Sequence, residues 1–529
     1  MSYTSYMYLL VFLGSVFVLY TAFPLKYKWT VLLAASYVFY FINSGSLAIF
    51  LFITTAAVYI SGIALNKISD GFDLVKKSLD KEQKKAYKKI ILWQKRLTVT
   101  VTLAVIFGLL LFLKYFNFLG ETVNSVLHIF GAESAVPKLK LILPLGISYY
   151  TLQAASYIID VYRGKYKASN NFGKVALFLS FFPQIVEGPI GRFDLLAEPL
   201  YEGHKFNYDN FTQGLQLIVW GLFKKLVIAD RANIFVCSAF ENYKSNSGAV
   251  MLFAGVLYTV QIYAEFSGCM DIVTGSAQLF SVPLSENFNR PFFSKSVNEF
   301  WRRWHITLGA WLRDYIFYSV SLSKPFMRLS RFTKKHLNEF FGSLVPSAFA
   351  LLFVWLANGF WHGSGWKYIT YGMYYYVIML LGMIFEPMFV RMFKSVHIER
   401  NSAVLNVLRI VRTCFIVVVG MILFRAESVG AWLSILRSAV LNFAPQTLAD
   451  GTLLTMGIDV YDFAVIAAAT AVLFIISVLQ ECGVKVRKSI ANRNIALRWG
   501  LYFALLFAVI IFGAYGPGYD AVDFIYGQF

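Results

Sequence analysis

Leu344-Val-Pro-Ser-Ala-Phe-Ala-Leu-Leu-Phe-Val-Trp-Leu-Ala-Asn-Gly-Phe-Trp-His362-Gly-Ser-Gly-Trp366 contains no Asp, Glu, Lys or Arg. The apolar part, 344–360, falls within the range of about 17–25 residues that carries a helix across a bilayer. The stretch therefore predicts a membrane helix that ends on a histidine. Gly363 and Gly365 let the backbone turn tightly there, and Trp361 and Trp366 bracket the imidazole.

The pattern repeats along the chain. Candidate spans lie at 7–24, 28–43, 46–65, 97–118, 140–160, 212–230, 249–267, 344–360, 368–390, 408–425, 460–479 and 498–514. Two shorter apolar pieces, 172–190 and 305–322, are predicted to enter the membrane region without a simple crossing. Pro183, Gly188, Pro189 and Gly191 break the first of them, and irregular backbone survives at depth only inside protein or along a cavity. Composition agrees: 58% of the 529 residues are hydrophobic and 15% charged, against roughly 25% charged in soluble domains. The prediction is an all-α, polytopic integral membrane protein of 11–13 membrane helices with re-entrant segments, a single membrane domain over 1–529.

The formal charge of +19 sits in short segments between apolar runs, and no nucleic-acid-binding motif accompanies it. Nucleic acid is not an expected partner; the bilayer is. The basic segments 66–96, 324–336, 391–412 and 484–498 orient the chain if all four face the cytoplasm. The 66–96 loop is then cytoplasmic, its 71–90 part a solvated amphipathic helix. Both termini, including the tail 516–529, are extracytoplasmic. His362 belongs at the turn between spans 344–360 and 368–390, in the outer half of a plasma-membrane protein. Cys237, Cys269, Cys414 and Cys482 lack the paired spacing of a zinc site or a disulfide framework. The six histidines show no metal-ligand clustering, so no metal is expected.

Ionisable groups at membrane depth are costly and mark sites or cavities. Here they gather in Glu299-Phe-Trp-Arg-Arg-Trp-His305 and just after it, at Arg313 and Asp314. Taken as one helix, 297–318 sets Glu299 to pair with Arg302 and Arg303, and Asp314 near Arg303. His305 then shares a stripe with Trp301, Leu308, Gly309 and Leu312. It is open on these residues whether His305 assists a reaction or is a hydrogen-bonded core residue. His362 has Asn358 nearby as a candidate hydrogen-bond partner and no serine or cysteine nucleophile paired with it. A lone histidine suits direct transfer, taking a proton from an attacking hydroxyl and returning one to the leaving group. A transporter or flippase would also carry polar residues at the midplane, but neither an inverted repeat nor paired broken helices are visible.

Six stretches resemble the membrane-bound O-acyltransferase (MBOAT) family, in its bacterial alginate O-acetylation branch. They are Leu143-Pro-Leu-Gly-Ile-Ser-Tyr-Tyr-Thr-Leu-Gln153, Phe181-Phe-Pro-Gln-Ile-Val-Glu-Gly-Pro189, Gln261-Ile-Tyr-Ala-Glu-Phe-Ser-Gly268, Glu286-Asn-Phe-Asn-Arg-Pro291, Trp301-Arg-Arg-Trp-His305 and Asn358-Gly-Phe-Trp-His362-Gly. They cover 140–366 in the family's order; Glu265 stands where the family favours Asp. The resemblance implies a helical funnel in which His362 is the catalytic histidine and His305 the second one. Trp301, Arg302, Arg303, Asp314, Asn358 and Trp361 would line the donor path or support it.

The resemblance further implies an acyl thioester co-substrate (acetyl-CoA or an acyl-carrier protein) and transfer of the acyl group, acetyl first, for O-acylation of a surface or cell-wall polysaccharide. D-alanyl transfer to teichoic acid is the alternative. An extracytoplasmic SGNH-hydrolase-like acyltransferase is the implied partner. The tail Phe524-Ile-Tyr526-Gly-Gln-Phe529 is similar to an aromatic motif in which the tyrosine, here Tyr526, would hold the acyl group in transit. A phenol with a pKa near 10 is a better leaving group than an alkyl alcohol.

Overall fold

The computed structural model describes residues 1–395, 397, 399 and 402–515. Its regular secondary structure is helical, with no β-strand among the described residues; one isolated antiparallel bridge joins Phe288 and Trp304. They fall into two compact units, Met1–Ile218 with Val273–Ser285, and Val219–Ile272 with Glu286 onward.

The first unit contains α1 (Leu13–Ala22), α2 (Lys28–Ser44), α3 (Ala48–Val75), α4 (Lys81–Ile129), α5 (Ile147–Arg163), α6 (Phe172–Ser180) and α7 (Phe193–Tyr201). Helices α8 (Tyr208–Leu222) and α10 (Gly248–Leu279) each begin in one unit and end in the other. The second unit adds α9 (Asp230–Glu241), α11 (Val297–Arg303), α12 (Ile306–Leu312), α13 (Tyr318–Ser321), α14 (Lys324–His336), α15 (Glu339–His362) and α16 (Trp366–Ser395). It ends with α17 (Ala403–Arg425), α18 (Val429–Leu441), α19 (Val460–Glu481), α20 (Val486–Ala491) and α21 (Ile495–Phe512).

Among the described residues, eight helical segments are long and apolar enough to cross a bilayer: Leu25–Val75, Lys81–Ile129, Gly248–Leu279, Glu339–His362, Trp366–Ser395, Ala403–Arg425, Val460–Glu481 and Ile495–Phe512. The first holds both α2 and α3. Met7–Ala22 and Val429–Leu441 are shorter apolar helices. Two expected spans are interrupted. Helix α5 starts only at Ile147, after Pro144, and the 212–230 run changes from α8 into a π-helical turn over Phe223–Ala229.

The expected break after Ser180 is present. Helix α6 stops there, and turns carry the buried chain through 181–188. Side-chain hydroxyls satisfy its backbone: Ser36 Oγ accepts from Phe182 N at 3.0 Å, and Tyr3 OH donates to Phe182 O at 2.8 Å. Away from water, such partners are what permit irregular backbone.

The Lys-rich 71–90 stretch differs from expectation: it is a helical hairpin tip, not one helix. Helix α3 ends at Val75, and Asp80 caps α4 by accepting from Glu82 N and Gln83 N at 2.9 and 2.8 Å. Gln83 returns a bond to Asp80 N. That capping box starts a new helix in mid-run.

Candidate active site

The 297–318 region is not one helix. Ser296 Oγ caps α11 by accepting from Glu299 N at 3.1 Å, and α11 stops at Arg303. Trp304 is extended, His305 takes the left-handed conformation at φ 47°, and α12 begins at Ile306. A left-handed residue that carries a Cβ costs about 1–2 kcal/mol, so a competing interaction must hold it there.

The competitor is the 287–289 segment. Asn289 N donates to Arg303 O at 2.8 Å and Ile306 N to Asn287 O at 3.0 Å, forming the bridge opposite Trp304. Trp304 is buried against Phe288, Phe300 and Tyr263, at ring distances of 5.0, 5.5 and 6.0 Å. The break takes His305 off the stripe expected from a continuous helix and buries it at 2% exposure. Its Nδ1 lies 3.2 Å from Asn287 Oδ1, and its ring meets Phe266 and Trp361 edge-on at 4.9 and 5.2 Å.

His362 closes α15 at 3% exposure. Its ring is surrounded by Trp361 at 4.9 Å, Phe424 at 5.3 Å and Tyr371 at 5.7 Å. Trp361 thus touches both imidazoles. The α15–α16 hairpin closes tightly because Gly359 lies against Tyr368: a methyl at Gly359 would come within 2.6 Å of Tyr368 O. Trp301, Trp355 and Tyr375 form an aromatic cluster with ring distances of 4.8–5.4 Å, joined to His362 through Tyr371. Asn358 is buried one turn before His362, but its Oδ1 accepts no hydrogen bond among the described residues. The buried donors Trp301 Nε1 and Trp355 Nε1 likewise donate to no acceptor among the described residues.

The charged residues sort differently from expectation. Arg303 pairs with Glu299 at 2.8 Å as the spacing predicts, but its other partner is Glu481, at 3.0 Å. Arg290 shares Glu481 at 2.6 Å. Asp314 pairs with its neighbour Arg313 at 2.9 Å instead of Arg303, because the break at 304–305 removes the helical rotation that would have aligned them. Arg302 is exposed.

Glu265 and Asp271 belong to a buried charge network. Lys225 Nζ lies 3.0 Å from Glu265 and 2.7 Å from Asp230, and Lys224 Nζ 2.7 Å from Asp271. The lysines sit in the apolar 212–230 run, where sequence gives no sign of their partners. Sequence gives no sign of Glu481 either, and marks Asn287 only as part of the Glu286-Asn-Phe-Asn-Arg-Pro291 stretch. Among the described residues no three His, Cys, Asp or Glu gather as a metal site. Tyr526 lies outside the described residues.

Fold and site together define a polytopic helical membrane protein with two buried, aromatic-flanked histidines on either side of one tryptophan. The sequence profile of "MBOAT, membrane-bound O-acyltransferase family" matches residues 168–425. The chain is 30% identical over 453 residues to the probable alginate O-acetylase of Azotobacter vinelandii, covering 85% of this chain and 80% of that protein. It is 32% identical to the peptidoglycan O-acetyltransferase of Helicobacter pylori, over 53% of this chain and 54% of that protein. It is 28% identical to the teichoic acid D-alanyltransferase of Bacillus subtilis, over 51% and 69%. The chain belongs to the membrane-bound O-acyltransferase family and is an acyltransferase.

Proposed function

We propose that this enzyme moves an acetyl group from a cytoplasmic thioester, acetyl-CoA or an acyl-carrier protein, across the plasma membrane for O-acylation of a surface or cell-wall polysaccharide. The observation that carries the reading is His362, buried at the turn of the α15–α16 hairpin among Trp361, Tyr371 and Phe424. In the transfer, His362 takes the proton of an attacking hydroxyl. The new O–acyl bond forms as the thioester C–S bond breaks, and the proton goes to the departing thiolate. The buried Trp301 Nε1, Trp355 Nε1 and Asn358 Oδ1 suit the polar atoms of a thioester arm, and His305 lies across Trp361 from His362.

The acetyl reading follows the relatives at 30–32% identity, both named for acetyl transfer. The D-alanyl alternative rests on the relative at 28%. Basic segments on the cytoplasmic side would leave both termini outside, where Tyr526 could carry the acyl group to an SGNH-hydrolase-like partner. Mass spectrometry of the C-terminal peptide from native membranes tests this, comparing wild type with His362→Ala. A His362-dependent adduct on Tyr526 supports the relay, and its mass separates acetyl from alanyl. A fully covered, unmodified peptide with intact polymer acylation removes the relay.

A further inference from the structure

We infer that Asn287 is a positioning residue that fixes His305 as the Nδ1–H tautomer and so leaves Nε2 as the hydrogen-bond-accepting nitrogen of the ring. The partners of the Asn287 carboxamide fix which of its ends faces the ring. Thr307 N donates to Asn287 Oδ1 at 3.1 Å, and Thr307 Oγ1 donates to the same atom at 2.8 Å. A backbone N–H can only donate, so the atom that receives it is the carboxamide oxygen and the usual amide ambiguity is resolved. The other end agrees: Asn287 Nδ2 donates to Met270 Sδ at 3.3 Å.

The carboxamide oxygen can only accept. At 3.2 Å from it, His305 Nδ1 must carry a proton, since otherwise two lone pairs would face each other. In the neutral ring Nε2 is then the basic nitrogen. Backbone holds the arrangement from both sides, through Ile306 N to Asn287 O at 3.0 Å and Asn289 N to Arg303 O at 2.8 Å. The left-handed turn at His305 thus has a chemical result: it brings Nδ1 to Asn287 instead of leaving the ring on a helix face. This rests on the proposed acyl transfer for its use, in which the acceptor hydroxyl donates a hydrogen bond to His305 Nε2.

The test is nitrogen NMR of the full chain in lipid nanodiscs with 15N-histidine, the His305 signals identified by their loss in His305→Gln. The expected result is a proton on Nδ1 and none on Nε2, with mixed tautomers in Asn287→Leu. Protonation of wild-type His305 at Nε2, alone or with Nδ1, overturns the assignment whatever the activity. Because Asn287→Leu can fail to fold, the near-isosteric Asn287→Asp gives a second readout. A carboxylate beside Nδ1 favours imidazolium, so the acid limb of the acyl-transfer rate should move to higher pH by about 1 unit.

The other titratable groups on the surrounding elements are His362, Tyr371, Tyr263, Glu265 with Lys225, Asp271 with Lys224, and Arg303 and Arg290 with Glu299 and Glu481. They are common to both proteins and cancel in the comparison. A purely structural Asn287 would lower the rate at every pH without moving the limb. An Nδ1–H tautomer with an unmoved limb overturns the part assigned to His305 in the reaction. Failure of the acyl-transfer reading itself would appear separately, as wild-type membranes that acylate no polymer, and leaves the NMR result intact.

Discussion

The two histidines reach the same tryptophan by opposite routes. His362 is placed by local sequence: a helix with no charged residue after Glu339 runs to its end, the backbone turns, and the imidazole sits at the turn. His305 is placed by distant sequence: residues 287–289 bond to the chain at Arg303 and Ile306 and cut what would otherwise be one helix. The difference teaches that a site residue at a helix end can be read from its own neighbours. One held in a left-handed break depends on a distant segment that its neighbours do not announce.

Perturbations of each side sharpen the contrast. The largest expected effect is His362→Ala, which removes the proposed proton acceptor. Acyl transfer should fall by about 100- to 10,000-fold, far more than the loss of about 1–3 kcal/mol in stability from the space left among Trp361, Tyr371 and Phe424 can explain. Next is Trp304→Ala, which deletes a buried aromatic that anchors the break; it should cost about 3–5 kcal/mol by denaturation and lower activity with it. Gly359→Ala would push a methyl toward Tyr368 O and should destabilise the α15–α16 hairpin by about 1–3 kcal/mol.

Glu481→Gln weakens the pairing with Arg290 and Arg303. A double-mutant cycle with Arg303→Met should give a coupling of about 1 kcal/mol, as for a partly exposed pair. Smallest is Arg302→Ala, at an exposed side chain, with a stability change within about 0.5 kcal/mol. A large stability loss there would show that the Arg-Arg pair works as a unit, contrary to the separation seen between Arg302 and Arg303.

Much of this was legible in the chain. Uncharged apolar runs marked the membrane helices, and Pro183 with its neighbouring glycines marked the break after α6. Glu299 and Arg303 were paired correctly because both lie within α11, where helical spacing applies. What was not legible involves contacts across long sequence separations. The partners Glu481 for Arg303, Asn287 for His305, and Glu265 and Asp230 for Lys225 come from other elements. The 71–90 stretch was misread for a different reason: its uniform lysines hid the Asp80–Gln83 capping box, which splits it into two helices.

The measurement that bears most directly on the central claim is acyl transfer by purified protein in proteoliposomes, supplied with a thioester donor and a polyhydroxyl acceptor, for wild type and His362→Gln. Glutamine keeps the side chain polar and near in size but cannot take a proton. A proton-accepting role for His362 requires that His362→Gln fold, reconstitute like wild type and transfer no measurable acyl group. Transfer by His362→Gln at the wild-type rate would contradict it, and would move the chemistry away from the end of α15.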